Sequence, residues 1–255
     1  MDSPPALEMR LLVAEDRGTG PERSLSGTFP DRESRQLPQA SVESQFWSTP
    51  KACLAALVGP SNRVCLESPA VVKVLYRPGS NAQGLPSDVT AVQVDITDEE
   101  TLVATLRDVD ILMLIDGHSA IKSQHNPIRA IPKTKVQLFV PSDFAVRYSG
   151  QGLGIELIND KIKVEEAAEK SGVPTTVVLT GDFAEFAFDI QAMGVDRRHD
   201  RIILTGNSAS QPLNPCTREY VAAAFASIFS TTPIPQLQNR TLSLSELRPY
   251  LHIKS

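Results

Sequence analysis

The chain has 255 residues, of which 41% are hydrophobic and 22% are charged, a composition typical of a globular protein. Its 25 Lys and Arg residues are outnumbered by 30 Asp and Glu residues, so no net positive field exists that would hold a nucleic acid. No apolar run reaches the ~20 residues needed to span a bilayer. The three cysteines lack the spacing of a disulfide framework or a metal site. These features predict a cytoplasmic protein with reduced thiols and no nucleic-acid or membrane partner.

The first 68 residues are predicted to form a divergent, partly disordered N-terminal segment. Residues 16–45 mix charged residues with Ser, Gly and Pro and show little apolar periodicity, which is typical of a loop or of disorder. Two stretches differ from this background. Residues 10–14 are typical of a short strand, whereas Thr49 and Pro50, placed before residues 52–58, predict the start of a helix.

Residues 69–255 are predicted to form one nucleotide-binding domain, with a small C-terminal substrate region from about residue 182. Apolar runs closed by turn residues predict strands, and 3.6-residue periodicity predicts helices between them. This alternation is typical of parallel β-α-β units, so we predict an α/β fold with a doubly wound, Rossmann-like parallel sheet. The predicted strands are residues 71–76, 91–94, 111–115, 136–140 and 175–179, and the predicted helices begin near residues 97 and 158.

The first strand of a doubly wound sheet lies between the second and fourth strands. Without it, residues 71–76 and 111–115 would leave backbone groups unpaired in the core, at a cost of about 1–3 kcal/mol each. Residues 10–14 are the best candidate for this central strand. Gly18 and Gly20 come next, but no helix follows them directly, so we expect no tight phosphate cradle there. An alternative loop, at residues 59–62, leaves too little chain for the usual crossover before residue 71.

Six short sequences, taken in order, form a pattern that is more specific than any one of them. They are VLYRPGS at 74–80, VDITD at 94–98, FVPSDF at 139–144, NDKIKVEE at 159–166, SGVPTT at 171–176 and GDF at 181–183. Over roughly residues 71–186 the chain thereby resembles the NmrA-like and isoflavone-reductase-like oxidoreductases, an atypical branch of the short-chain dehydrogenase group.

The resemblance implies one of two functions. The first is an NADP(H)-dependent reductase acting on a small organic molecule, such as a carbonyl compound or a conjugated alkene. The second is a noncatalytic sensor that binds the dinucleotide and regulates a protein partner. A third alternative, suggested by the altered N-terminus, is a degenerate domain that binds no nucleotide.

The resemblance places the adenosine half of the cofactor at the ends of two predicted strands. Arg77 would hold the 2′-phosphate of NADP through paired hydrogen bonds, and the alternative is an ordinary solvated arginine. Asp95 and Ile96 would contact the adenine. Asp95 fits equally well as a residue that caps a turn into the next helix.

Three further residues complete the predicted cofactor site. Asp116 and Gly117 end the fourth strand at the carboxyl edge of the sheet, where ligands of such folds bind, and Gly117 permits close backbone approach. Ser142 follows the fifth strand, beside the expected nicotinamide. In the family a glycine follows the aromatic residue of this motif, whereas Ala145 stands here.

Lys161 is the predicted catalytic residue, because a lysine at this motif position acts as general acid or base in the reductases that the chain resembles. On a helix, Lys161 shares a face with Val164, Glu165 and Ala168, so it continues the apolar side. A place in the first helical turn would also lower its pKa. The alternative is an exposed lysine paired with Glu165. Leu157 stands where short-chain dehydrogenases carry a tyrosine, so their standard proton transfer is not expected.

Overall fold

The computed structural model describes residues 12–13, 53–58, 71–78, 89–115, 118–148, 150–189, 194–204, 206–211 and 213–246. The chain divides into two units, Met1–Ala14 with Lys51–Ser255, and Glu15–Pro50. Every described residue belongs to the first unit. The predictions for residues 16–45, and for Gly18 and Gly20, therefore lie outside the described residues, and the predicted domain limits remain a prediction.

Ten strands and six α-helices lie within the described ranges. The strands are β1 Leu12–Val13, β2 Cys53–Val58, β3 Val71–Tyr76, β4 Thr90–Gln93, β5 Ile111–Ile115, β6 Leu138–Val140, β7 Thr176–Leu179, β8 Val195–Asp196, β9 Arg201–Ile202 and β10 Arg240–Ser243. The helices are α1 Glu99–Thr105, α2 His125–Ala130, α3 Glu156–Lys170, α4 Ala184–Asp189, α5 Arg218–Thr231 and α6 Ile234–Leu237.

The strands β2 to β6 form one parallel sheet in the order β4-β3-β2-β5-β6. This order is that of a doubly wound sheet, so the predicted α/β fold is confirmed. A single parallel bridge between Phe139 and Thr175 links β6 to the start of β7. There a three-stranded sheet begins, in which β10 runs parallel to β7 and β1 runs antiparallel to β10.

The central strand is β2, so the prediction that residues 10–14 occupy this position is wrong. Leu54 of β2 pairs with Val72 of β3 on one side and with Ile111 of β5 on the other. The helix predicted over residues 52–58 is wrong as well. Alanine and leucine favour a helix locally, but a strand in this place forms hydrogen bonds with the backbone groups of both β3 and β5. Residues 59–70 are enough chain to connect two parallel strands, contrary to expectation.

The sheet is covered by apolar side chains on both faces. Within β5, Leu112 and Leu114 belong to one core cluster, whereas Ile111 and Met113 belong to a second. Residues of α1, α2 and α3 fill the first cluster, and residues of α5 fill the second. The run of apolar residues in β5 therefore reflects burial on two sides, as in parallel sheets generally.

Two helix starts affect the site. The cap of α1 is Asp98, whose side chain accepts a hydrogen bond from the Thr101 N–H, rather than Thr97. The longest helix, α3, begins at Glu156 and not near residue 158. Lys161 consequently lies in the second turn of α3. Among the helices of the described ranges, none combines the length and the apolar content needed to cross a bilayer.

Candidate active site

The carboxyl ends of the parallel strands bring several predicted site residues to one edge of the sheet. Arg77 comes directly after β3. One residue separates Asp95 from the end of β4, and one residue separates Ser142 from the end of β6. The end of β7 adds Asp182 to this edge. In doubly wound folds this edge is the place where ligands bind.

Arg77 is half-buried, and within the described residues its guanidinium takes part in no hydrogen bond or ion pair. Its five donors are therefore not committed to the described part of the fold. Phosphate and carboxylate oxygens are the acceptors that a guanidinium binds through paired, charge-assisted hydrogen bonds. The predicted contact with the 2′-phosphate is consistent with this position and remains a prediction.

Asp95 is exposed and caps a turn, which is the alternative role that the sequence predicts for it. Its Oδ1 accepts hydrogen bonds from the Thr97 N–H at 2.9 Å and from the Thr97 hydroxyl at 2.7 Å. These bonds lower the pKa of the Asp95 carboxyl. Ile96 is buried in the core, and its predicted contact with the adenine remains a prediction. Asp116 and Gly117 lie outside the described residues.

Lys161 is the best-defined part of the site. Its side chain is 11% exposed, and its Nζ donates a hydrogen bond to the main-chain oxygen of Asp143. The same Nζ lies 3.7 Å from Asp143 Oδ1. The structure thus places Lys161 on the buried side of α3, near Val164 and Ala168, as the helical spacing predicts.

Burial lowers the pKa of the Lys161 ammonium, and the carboxylate of Asp143 partly offsets this effect. The predicted contribution of the helix dipole is wrong, because that field is confined to the first turn and Lys161 lies in the second. The alternative partner, Glu165, is instead bound by Arg147 through two hydrogen bonds of 2.5 and 2.8 Å. Lys161 is therefore not the exposed lysine of a surface ion pair.

Asp143 is the counter-ion of Lys161, whereas the resemblance implied only that it helps to shape the site. Its side chain is only 6% exposed, and its Oδ2 lies 3.6 Å from Nη1 of Arg147. Burial raises the pKa of the Asp143 carboxyl to about 6, although Lys161 and Arg147 act in the opposite direction. A titratable pair with both pKa values moved toward neutrality is typical of functional sites.

The loop that carries Asp143 is held by two neighbouring contacts. The buried Ser142 donates its backbone N–H to Oε1 of the buried Gln124 at 3.0 Å. Phe144 has a φ of 37°, a left-handed value that costs a bulky residue about 1–3 kcal/mol. Its ring packs 5.5 Å from the ring of Phe225. The left-handed backbone conformation therefore lies at Phe144, one residue before Ala145. No motif in the sequence identified Gln124 as a partner of this loop.

A small cavity of about 30 Å³ lies beside Lys161. This volume is enough to hold a water molecule. Tyr148, on the loop between β6 and α3, lines this cavity, and the sequence offered no motif that identified it. The other lining residues are Asp143, Ala145, Val146, Arg147, Ile158, Lys161 and Ile162.

Asp182 adds a third carboxyl group near Lys161. Burial raises its pKa, and the Lys161 ammonium partly offsets the rise. The preceding Gly181 has a φ of +69°, and a Cβ on it would lie 2.1 Å from the main-chain oxygen of Asn214. Only glycine fits this turn, which explains the GDF sequence in physical terms. In the described part of the chain, no three His, Cys, Asp or Glu residues form a metal site.

A model of the NmrA-like family matches residues 65–228, which is more than half of the chain. The chain belongs to the NmrA-like family. Among curated relatives of this NmrA-like protein, a eugenol synthase of Petunia hybrida is 26% identical over 134 residues. An isoflavone reductase of Pisum sativum is 29% identical over 129 residues. Each alignment covers 48% of this chain but only 41% and 40% of the relatives, so the chain spans about two-fifths of their length.

Solved structures share the fold of this NmrA-like protein. An isoflavone reductase has a TM-score of 0.61 at 19% identity, covering 77% of this chain and 72% of its own. The NADPH complex of leucoanthocyanidin reductase from Vitis vinifera has a TM-score of 0.55 at 16% identity, covering 74% and 67%. A Citrobacter triphenylmethane reductase complexed with NADP(H) has a TM-score of 0.58 at 18% identity, covering 78% and 71%. At such identities the likeness establishes the fold alone.

Proposed function

We propose that this NmrA-like protein is an NADP(H)-dependent oxidoreductase that reduces a small organic molecule, a carbonyl compound or a conjugated alkene. The observation that carries the proposal is the burial of Lys161 against Asp143 at the ligand-binding edge of the sheet. The names of its relatives and structural neighbours, several of them reductases, support the same class of reaction.

The buried pair is difficult to explain by stability alone. Removing a lysine and an aspartate from water costs several kcal/mol per ion, and their mutual attraction often fails to repay that cost. At both groups burial outweighs the attraction between them, because the pKa of Lys161 is lowered while that of Asp143 is raised. Both shifts move the pKa values of the pair toward neutrality, which is the direction that favours general acid catalysis.

The described residues fit a dinucleotide that carries a 2′-phosphate. Arg77 follows β3 with its guanidinium uncommitted within the described ranges, and β2 supplies the central strand that nucleotide-binding sheets require. Arg77 would hold the phosphate, and the loop around Ser142 would border the nicotinamide. The reduced dinucleotide, when bound, supplies a hydride.

The role of Lys161 would be to handle the proton that accompanies the hydride. Asp143 holds Lys161 in one position through its main-chain oxygen and keeps the amine protonated through its carboxylate. Arg147 in turn holds Glu165, which keeps that carboxylate from competing for Lys161. The chain thus orients one ammonium group toward the edge where the substrate would bind.

The test is a titration of the purified protein with NADPH and NADH, followed by turnover assays with carbonyl and alkene acceptors. We expect NADPH to bind more tightly and to be oxidised. Binding without turnover by any acceptor would instead favour the sensor, and absence of binding to either dinucleotide would refute both functions.

A further inference from the structure

We propose that Asp182 binds a positively charged amine of the substrate, so that the molecule reduced at this site is an organic cation: a carbonyl compound or a conjugated alkene that carries an ammonium group. This inference rests on the proposed function, because it names the class of substrate for the same site. Lys161 would face the group that is reduced, and Asp182 would hold the charged group.

The backbone holds Asp182 in one place at the ligand-binding edge of the sheet. The N–H of Gly181, the preceding residue, donates a hydrogen bond of 3.2 Å to the main-chain oxygen of Ala145, which joins this turn to the loop that carries Asp143. The main-chain oxygen of Asp182 accepts a hydrogen bond of 3.1 Å from the N–H of Cys216. A carboxylate on a turn that is tied on both sides is already positioned for a ligand.

The Asp182 carboxylate forms no hydrogen bond and no ion pair with any described residue. The other carboxylates of the site each have a partner, because Asp143 lies 3.7 Å from Lys161 and Glu165 is bound by Arg147. Burial raises the pKa of Asp182, so this carboxylate loses part of its hydration without gaining a bonded partner. A ligand that supplies such a partner would remove this cost.

The charged side chains of the site leave one negative charge in excess among the described residues. Three carboxylates, Asp143, Glu165 and Asp182, stand against two cations, Lys161 and Arg147. Asp182 acts on Lys161 through its field alone, because no ion pair joins the two side chains. A ligand with one positive charge would balance the site, whereas a negatively charged ligand would add to the excess.

The field of Asp182 also reaches the cavity beside Lys161. Burial and the Asp182 carboxylate raise the pKa of Tyr148, which lines that cavity. Arg218, at the start of α5, does not supply the missing positive charge, because its Nε lies 3.5 Å from Oε1 of Glu185 and is balanced there. The Asp182 carboxylate therefore remains open to a substrate that also approaches Lys161.

An exposed aromatic surface next to Asp182 favours an organic cation over a metal ion. Phe183 follows Asp182 directly in the chain, and Phe186, which is 46% exposed, packs edge-to-face against it with the ring centroids 6.0 Å apart. Aromatic rings attract ammonium groups and pack against their carbon substituents. A metal ion would need several protein ligands, and no group of three such ligands occurs in the described ranges.

The experiment compares two aldehydes of the same shape that differ in charge. 4-(Dimethylaminomethyl)benzaldehyde is protonated on nitrogen at neutral pH, whereas 4-isobutylbenzaldehyde is uncharged. We expect the wild type to reduce the amine with a kcat/KM at least about 10-fold higher, the lower end of what a charge-assisted contact contributes. Asp182→Asn should lower kcat/KM for the amine by about 10-fold or more and change that for the uncharged aldehyde by less than about threefold.

Glu166→Gln is the matched control. It removes the same charge from the exposed face of α3, where Glu166 lies 3.5 Å from Lys170, and it should leave the preference for the amine unchanged. A wild type without preference for the amine would overturn the inference and leave the proposed function intact. Equal losses for both aldehydes in Asp182→Asn would have the same meaning.

A calorimetric titration tests the inference without cofactor or turnover. N,N-Dimethylbenzylamine carries the same ammonium group but has no carbonyl to reduce. Its Kd should be at least about 10-fold lower for the wild type than for Asp182→Asn, and Glu166→Gln should match the wild type. If the wild type reduces neither aldehyde, the proposed function fails for these acceptors and the titration decides. Equal Kd values for the wild type and Asp182→Asn, or no binding to either, would refute the role of Asp182.

Discussion

Replacement of Asp143 by Asn should make the protein more stable at neutral pH, although it removes one partner of an ion pair. Burial raises the pKa of Asp143 to about 6, from an ordinary value of 3.8. This difference corresponds to about 3 kcal/mol between the charged and neutral forms. This free-energy difference already includes the attraction of Lys161 and Arg147 for the Asp143 carboxylate. Charging Asp143 therefore opposes folding.

The sign of the pH dependence follows from the raised pKa. The protonated carboxyl favours the folded state, so its contribution is complete below about pH 3.8 and is lost as the pH rises through about 6. Asparagine carries no charge at any pH. The two proteins should be about equally stable near pH 4, and Asp143→Asn should exceed the wild type by as much as about 3 kcal/mol at pH 7–8.

Urea unfolding followed by circular dichroism at a series of pH values measures this difference. For an m value of about 2–3 kcal/mol/M, the midpoint of the variant should be higher by about 1 M at pH 7.5. Asp95→Asn is the matched control. The pKa of Asp95 is lowered, so its contribution is present at neutral pH and is lost on acidification. An Asp143→Asn protein that is less stable than the wild type at pH 7.5 would refute the reasoning.

Three further predictions concern the cofactor, the catalytic lysine and the turn after β7. Arg77→Ala should weaken NADPH binding at least several-fold, for a lost charge-assisted contact of about 1.5–3 kcal/mol, and leave NADH nearly unchanged. Equal losses for both dinucleotides in a calorimetric titration would reject the assignment. Lys161→Met should abolish reduction while NADPH affinity changes less, and turnover near the wild-type kcat would end its proposed role. Gly181→Ala should destabilise by about 2–5 kcal/mol, because the φ of +69° and the close Asn214 oxygen act together. Gly172→Ala, with a φ of +68° and no atom within 4 Å, should cost only the backbone part, about 1–2 kcal/mol. Similar unfolding free energies for the two glycine variants would contradict the clash.

The sequence predicted the strands from β3 onward because their apolar runs end at strong turn residues. The prediction for the central strand of the sheet was wrong. Residues 53–58 are rich in alanine and leucine and follow a proline, a local pattern that favours a helix. Their place as β2 depends on hydrogen bonds with β3 and β5, which no local window contains. Position in a sheet is a tertiary property, so residues 10–14 were assigned to the central place that β2 occupies.

For the site, helical periodicity was sufficient to place Lys161 on the buried face of α3. The partner was not predictable in the same way, because Asp143 lies on a different element, 18 residues earlier. Tyr148 and Gln124 were missed for a similar reason: Tyr148 lies on a loop and Gln124 at the start of α2, and neither position belongs to a periodic apolar pattern. The cause assigned to the lysine pKa was also wrong, since a difference of two residues in the helix start moved Lys161 out of the first turn.

The pairing of β1 with β10 has a consequence for synthesis of the chain. Leu12 emerges from the ribosome well before its partner Ser243. Until then β1 has no strand to join, and the outer edge of β7 lacks the parallel neighbour that β10 later provides. Long-range pairings of this kind form slowly, and an open strand edge attracts other chains. Slow translation between β7 and β10 would therefore prolong the interval in which this edge of β7 is open.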